Sequence, residues 1–177
     1  MTRKFLFCFP LRVGNIVFGY IVIILSLMVA ALHLYELGAC IITRGSHNED
    51  KFGNFQKLES IFGEDKNELV EIITITYYLT YIIIGLLLFI FAAIFTCGVY
   101  KLNDCAITTF FVYCFFHLFF SIGLIVWETL TAGWVQLGLI AVSDVLLIIS
   151  LFSVKYMMEA IRTGNVYTRP GDILYKC

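Results

Sequence analysis

Four long apolar stretches, separated by polar segments, set the pattern along this chain of 177 residues. Their approximate bounds are 14–35, 72–100, 105–127 and 134–154, and each reaches the length of about 20 residues that a helix needs to cross a bilayer core. The apolar positions are continuous rather than alternating, which favours helices over the strands of a membrane barrel. The pattern predicts an all-α protein, a four-transmembrane-helix bundle that forms one membrane domain over residues 1–177.

Composition supports a membrane protein and argues against several functional classes. The chain is 60% hydrophobic and 14% charged, whereas an average soluble domain is roughly half apolar and a quarter charged. The net charge is −1 and no basic block occurs, so we expect no nucleic-acid partner. Motifs for hydrolysis, redox chemistry and nucleotide binding are missing. We therefore expect a protein that is not an enzyme, with no catalytic residues, no cofactor and no metal.

Lysine and arginine are unevenly divided among the segments that flank the four stretches. Eight of the twelve lie before the first stretch, between the second and third, or after the fourth: Arg3, Lys4, Arg12, Lys101, Lys155, Arg162, Arg169 and Lys176. Basic residues favour the cytoplasmic side, so both termini are predicted to be cytoplasmic, with an outer loop over 38–71 and a cytoplasmic tail over 155–177. Arg12 is expected to anchor the first helix at the inner headgroups.

Asp144 stands near the middle of the fourth stretch, within the apolar sequence "GLIAVSDVLLIIS". A carboxylate at that depth costs roughly 2.5–3.5 kcal/mol, so a function for it is expected. His117 is placed at a similar depth in the third stretch, and the two side chains are predicted to form an intramembrane polar pair. Three roles remain open: a hydrogen bond between helices, a proton or substrate relay, and recognition of a partner's helix or a lipid headgroup.

Three further polar residues fall near the outer ends of the first and third helices: His33, Glu36 and Glu128. A histidine and two acids are a donor set that zinc accepts. Their spacing is not a recognised ligand pattern, and we expect them to be solvated at the membrane interface.

The six cysteines are concentrated toward the cytoplasmic face and the membrane. Cys40 alone lies near the outer face, so a disulfide within the outer loop is not expected. Cys8, Cys97 and Cys105 are placed where palmitoylation is physically feasible.

Both ends of the membrane domain resemble one known family. The entry "FCFPLRVGNIVFGY" and the exit "KYMMEAIRTGNVYTRPG" are similar to those of the lysosome-associated protein transmembrane (LAPTM) family, as are the helix count and the large first outer loop. Gly14 and Gly19 in the entry permit close packing of the first helix. The tail lacks the proline-tyrosine motifs of that family, and in this respect the chain is closer to the short insect group that includes the pasiflora proteins of septate junctions.

The resemblance implies a multi-pass membrane protein that acts by lateral association. Expected partners are the lipid bilayer and other integral membrane proteins, with a homo-oligomer among the alternatives, and the outer loop is the surface offered to them. It implies either a junctional scaffold component in the plasma membrane or a trafficking protein in the endosomal or lysosomal membrane. The alternative is a small-molecule or proton transporter that uses Asp144.

Overall fold

The structure, a computed structural model, describes residues 4–5, 9–43, 67–131 and 134–163. Its elements are two short strands, β1 (Lys4–Phe5) and β2 (Phe9–Pro10), and four helices, α1 (Leu11–Thr43), α2 (Asn67–Lys101), α3 (Asp104–Thr131) and α4 (Trp134–Arg162).

All four helices are long and apolar enough to cross a membrane. They contain 33, 35, 28 and 29 residues, and each exceeds the roughly 20 residues that a bilayer core requires. The prediction of an all-α fold with four helices long and apolar enough to span a membrane is confirmed, and this architecture fits a multi-pass membrane protein. The orientation of its termini stays a prediction.

The helices are longer than the apolar stretches that predicted them. α1 continues through Gly38 to Thr43, α2 begins five residues before Ile72, and α4 continues to Arg162. Hydropathy changes at the membrane surface, but backbone hydrogen bonding continues into water, so the apolar pattern underestimates helix length. Both ends of the predicted outer loop over 38–71 are therefore helical, and its residues 44–66 lie outside the described residues.

The N-terminal arm contains a pairing that the sequence did not predict. β1 and β2 are antiparallel, with Lys4 opposite Pro10 and Phe5 opposite Phe9. Cys8 lies outside the described residues, as does the tail from residue 164 onward.

α1 and α2 form the most extensive helix contact in the bundle. On α1 the buried positions recur at intervals of four and three residues, in a seam of Asn15, Gly19, Val22, Ser26 and Ala30. Intervals of four and three residues place these positions on one face of the helix, as in helix pairs that pack closely along their length. Gly19 lies against Thr96 and Ala30 against Gly85, so the two helices are antiparallel.

Small residues in this seam let the two backbones approach closely, as they do in many membrane proteins. A Cβ atom on Gly85 would lie 3.3 Å from the carbonyl oxygen of Ser26, and one on Gly19 would collide with the hydroxyl of Thr96. Since apolar side chains gain little by leaving lipid for protein, close packing of this kind stabilises the pair.

The largest hydrophobic core lies in the half of the bundle where α2 and α3 are connected. Its fully buried members come from α2, α3 and α4: Ala92, Phe95, Val99, Ile107, Phe110, Cys114, Val154 and Met157. We call this end, which also carries Arg12, Lys101, Asp104 and Arg162, the basic end. A smaller cluster around Tyr78 lies at the opposite end.

A tight turn joins α2 to α3 at the basic end. The N–H of Asn103 donates to the carbonyl oxygen of Gly98 at 2.9 Å, and Leu102 has a left-handed φ of 53°. These are the features of a Schellman motif, in which glycine usually holds the left-handed position. The side chain of Asn103 accepts the N–H of Cys105 at 3.0 Å and caps α3.

We expect replacement of Leu102 by isoleucine to lower the free energy of unfolding by about 1–2 kcal/mol, because a β-branched residue tolerates positive φ poorly. Leu102→Gly removes the backbone strain of the positive φ, but it also removes a side chain that packs against the core. The net change in the free energy of unfolding is therefore expected to stay within about 1 kcal/mol. Reversible unfolding in mixed detergent micelles measures both variants. An isoleucine variant as stable as the natural chain would contradict this account of the turn.

Candidate functional site

Asp144 links α4 to α3 inside the membrane. Its Oδ2 atom lies 2.6 Å from Oγ of Ser121, and the residue is only partly exposed. Its Oδ1 atom makes no hydrogen bond to the parts of the chain that the structure describes. Asp144 therefore joins two helices and retains unused hydrogen-bonding capacity.

The predicted pair of Asp144 and His117 is not the hydrogen bond that the structure forms. Ser121 and Asp144 each lie ten residues from the connection between α3 and α4, so they are at equal depth. The sequence placed the end of the third helix near Trp127, and the extension of α3 to Thr131 shifts the match by one helical turn. His117 remains close enough to Asp144 for an electrostatic interaction.

His117 has a different hydrogen-bond partner. Its Nδ1 atom lies 3.4 Å from the hydroxyl of Tyr113, one turn closer to the basic end. The ring of Tyr113 stacks on Phe91 of α2, with centroids 4.2 Å apart. Tyr113 and His117 thus continue a line of polar groups from Asp144 along α3.

Glu128 forms a second polar site at the end opposite the basic end. It is 1% exposed, and its Oε1 atom accepts hydrogen bonds from the hydroxyls of Tyr77 and Tyr81, each at 2.7 Å. The two tyrosines are four residues apart on α2 and therefore present their hydroxyls to the same position on α3. A buried carboxylate that accepts two hydrogen bonds has its polar partners, and these bonds join α2 to α3.

Aromatic side chains extend this site to α1. The imidazole of His33 stacks on Tyr81 with centroids 4.5 Å apart and planes 1° from parallel. Its Nδ1 atom lies 2.8 Å from the carbonyl oxygen of Val29, and Tyr77 contacts the ring of Trp127. Three helices therefore meet at one aromatic and carboxylate cluster.

The expectation that Glu128 is solvated is wrong. It was placed at the interface because α3 was predicted to end at Trp127, but α3 continues to Thr131 and keeps Glu128 against the tyrosines of α2. The i, i+4 tyrosines of "TYYLTY" were the signal that could have revealed this site. Within the described ranges, no three histidine, cysteine or acidic residues are arranged to hold a metal.

At the basic end, Arg12 bonds to the protein itself. Its Nη2 atom donates to the carbonyl oxygen of Tyr100 at 2.8 Å, so a residue in the first turn of α1 caps the last turn of α2. Its role as an anchor for lipid headgroups stays a prediction. Nearby, Arg162 Nε and Asp104 Oδ2 form an ion pair at 2.8 Å between α4 and α3.

Buried polar groups also join α1 to α4. Asn15 is fully buried, and its Nδ2 atom donates to the carbonyl oxygen of Leu11 at 2.8 Å and to Oγ of Ser153 at 3.3 Å. Of the two glycines predicted to pack α1, Gly14 is buried and Gly19 lies against Thr96. The first turns of α1 are therefore in close contact with the bundle.

Cys97 and Cys105 are exposed free thiols on α2 and α3, close to the basic end. Acylation of these cysteines stays a prediction, because no described feature tests it.

The chain matches no known protein family, no curated protein and no solved structure in comparisons of all three kinds. The resemblance to LAPTM and pasiflora proteins therefore stays a prediction from the sequence.

Proposed function

We propose that this chain is a non-enzymatic membrane protein that acts by lateral association with other integral membrane proteins. The observation that carries the proposal is the packing surface of α4, which is buried in one half and uncovered in the other.

The packing surface of α4 is a seam that repeats every seven residues. Its members, at intervals of four and three, are Gln136, Ile140, Ser143, Leu147, Ser150, Val154 and Met157. The four from Leu147 onward are buried, whereas Gln136 and Ile140 are partly exposed and Ser143 is exposed. The seam therefore continues for two turns beyond the point where the described bundle covers it.

The uncovered half of the seam carries polar side chains, and lipid cannot satisfy their hydrogen-bonding groups. Gln136 offers an amide, Ser143 a hydroxyl, and Asp144, beside the seam, an oxygen without a described partner. Polar side chains and small residues are the groups through which membrane helices associate. A helix of another membrane protein that carries donors at matching depth would cover these groups, and a second copy of this chain is one candidate.

Photo-crosslinking tests the proposal directly. A photoreactive side chain at position 143 is expected to form adducts with a neighbouring membrane protein, whereas one at position 142, whose Val142 side chain is 60% exposed and points away from the seam, is expected to yield mainly lipid adducts. Ser143→Trp is expected to weaken the association about tenfold, equivalent to 1.4 kcal/mol, and Val142→Trp to leave it unchanged. Equal adduct patterns at 142 and 143 would contradict a specific interface.

The site of action is proposed from the sequence resemblance, with both termini in the cytoplasm. A tagged copy is expected at lateral junctions of a polarised epithelium if the chain is a junctional scaffold component, or in acidic vesicles if it is an endolysosomal trafficking protein. Imaging beside markers of both compartments distinguishes the two. A uniform distribution over all membranes would contradict both versions.

A further inference from the structure

A row of polar residues runs along α3 within the membrane. Thr109, Tyr113, His117 and Ser121 recur every four residues, so each lies about one turn above the last, in a row that spans about 18 Å and winds by about 120° around the helix. α3 is otherwise rich in phenylalanine, and polar groups at this depth are expected to face protein or a water-filled space.

The part of the row nearer the basic end, Thr109 and Tyr113, lines a groove that extends to that end. The groove has a volume of about 620 Å³, and its lining includes Phe91 of α2, Arg162 of α4, and Asp104, Cys105, Thr109 and Tyr113 of α3. The ion pair of Asp104 and Arg162 lies at its end, where Arg162 is 59% exposed. The groove has room for several water molecules between this ion pair and Tyr113.

The hydrogen bonds around Ser121 match a protonated Asp144. The single hydroxyl hydrogen of Ser121 faces two oxygen atoms: the carbonyl oxygen of Leu118 at 2.8 Å and Oδ2 of Asp144 at 2.6 Å. An ionised Asp144 would leave one of these short contacts without a hydrogen. If Asp144 carries a proton, its O–H donates to Ser121, whose own O–H donates to Leu118, and both contacts are satisfied.

We propose that Asp144 is a proton-binding site that exchanges protons with water at the basic end, through Tyr113 and His117. His117 receives a proton at one ring nitrogen from the groove side and releases one from the other nitrogen to the carboxylate of Asp144. The imidazole is neutral before and after, and the net change is one proton moved from groove water to Asp144.

The titratable and charged groups around the path are consistent with a proton that moves from groove water toward Asp144. On α3 they are Asp104, Cys105, Tyr113, Cys114 and His117, of which Cys114 is a buried free thiol next to Tyr113. α4 adds Arg162, and among the residues that line the described groove α2 contributes the ring of Phe91, which is not titratable. Glu128, seven residues beyond Ser121, is already engaged by two tyrosines. Asp104, the carboxyl group at the basic end of the path, is paired with Arg162. Asp144 is therefore the carboxyl group at the other end of the path, next to His117, that is not held by a cation or by two tyrosines.

Cysteine accessibility tests whether water enters the groove. Thr109→Cys and Tyr113→Cys are expected to react with a membrane-impermeant methanethiosulfonate added at the basic end, and not with reagent added at the opposite end. The reactivity of the unsubstituted chain, which includes Cys105, is subtracted. Ile122→Cys is the matched control, because Ile122 lies at the depth of Ser121 and is 59% exposed on a surface outside the groove. If Tyr113→Cys is as unreactive as Ile122→Cys, a lipid chain fills the groove and the proposal fails.

Infrared difference spectroscopy on the reconstituted full chain tests proton uptake. Acidification at the basic end is expected to produce a protonated carboxyl band that is absent in Asp144→Asn. His117→Phe is expected to slow the appearance of that band at least about tenfold, while His33→Phe, at the opposite end, leaves the rate unchanged. A band that is insensitive to Asp144→Asn, or that follows acidification only from the opposite side, would overturn the proposal.

Discussion

Replacement of Glu128 by leucine is expected to lower the free energy of unfolding by about 2–3 kcal/mol. The leucine is close in volume, but it leaves the hydroxyls of Tyr77 and Tyr81 without the carboxylate oxygen that accepts both. A buried hydroxyl that loses its partner costs about 1–3 kcal/mol in water-soluble proteins and somewhat less inside a membrane. Reversible unfolding in mixed detergent micelles measures the loss.

Removal of the tyrosine hydroxyls is expected to restore most of this stability. In the triple variant Glu128→Leu, Tyr77→Phe, Tyr81→Phe, no donor remains for the absent carboxylate to satisfy, and apolar replacement of all partners is nearly neutral. Thr129→Val is the matched control, because Thr129 is exposed and bonds only to its own helix. If the triple variant is no more stable than Glu128→Leu, the cluster does not stabilise the bundle through these two hydrogen bonds.

Gly19→Leu is expected to separate α1 from α2 and to lower the free energy of unfolding by about 3 kcal/mol. Even a single Cβ atom at Gly19 meets the hydroxyl of Thr96. That hydroxyl is held by a hydrogen bond of 2.8 Å to the carbonyl oxygen of Ala92, and a β-branched side chain in a helix has little rotational freedom. The helices must therefore move apart, and overpacking of a core costs about 1–3 kcal/mol.

A smaller substitution at position 19 tests whether contact with Thr96 causes the destabilisation. Gly19→Ala is expected to destabilise the bundle by about 1 kcal/mol, and Thr96→Ala in the same chain to recover most of that loss. Gly123→Leu is the matched control, because among the described residues no side chain or neighbouring helix lies within 4 Å of a Cβ placed there. Equal destabilisation by Gly19→Leu and Gly123→Leu would show that helix propensity, rather than the contact with Thr96, governs the effect.

The number and type of helices could be predicted from the sequence because four uninterrupted apolar stretches have no stable alternative in a bilayer. Their ends could not, since helical hydrogen bonding continues past the point where hydropathy falls. At the end of α3 this difference is four residues. It is enough to exchange His117 for Ser121 as the hydrogen-bond partner of Asp144, because each residue advances a helix by 1.5 Å.

Asp144 could be identified from sequence because an acid far from both ends of a membrane helix is costly wherever it faces. Glu128 could not be distinguished by the same argument, since an acid near a helix end can usually reach water. Its burial depends on tyrosines from α2, which the sequence places 47 and 51 residues away. No residue near Glu128 in the sequence indicates its contact with the two tyrosines.

The bundle is built as two hairpins. α1 and α2 share the long seam in which Gly19 meets Thr96, and these two helices can pair before the third has been synthesised. α3 and α4 form the second hairpin, held by the bond between Ser121 and Asp144. The hairpins meet through stacked rings such as Phe95 on Phe110, 4.5 Å apart. Sliding of one hairpin against the other would break the hydrogen bonds of Tyr77 and Tyr81 to Glu128. These two bonds therefore fix the register in which the two hairpins, once formed, assemble into one bundle.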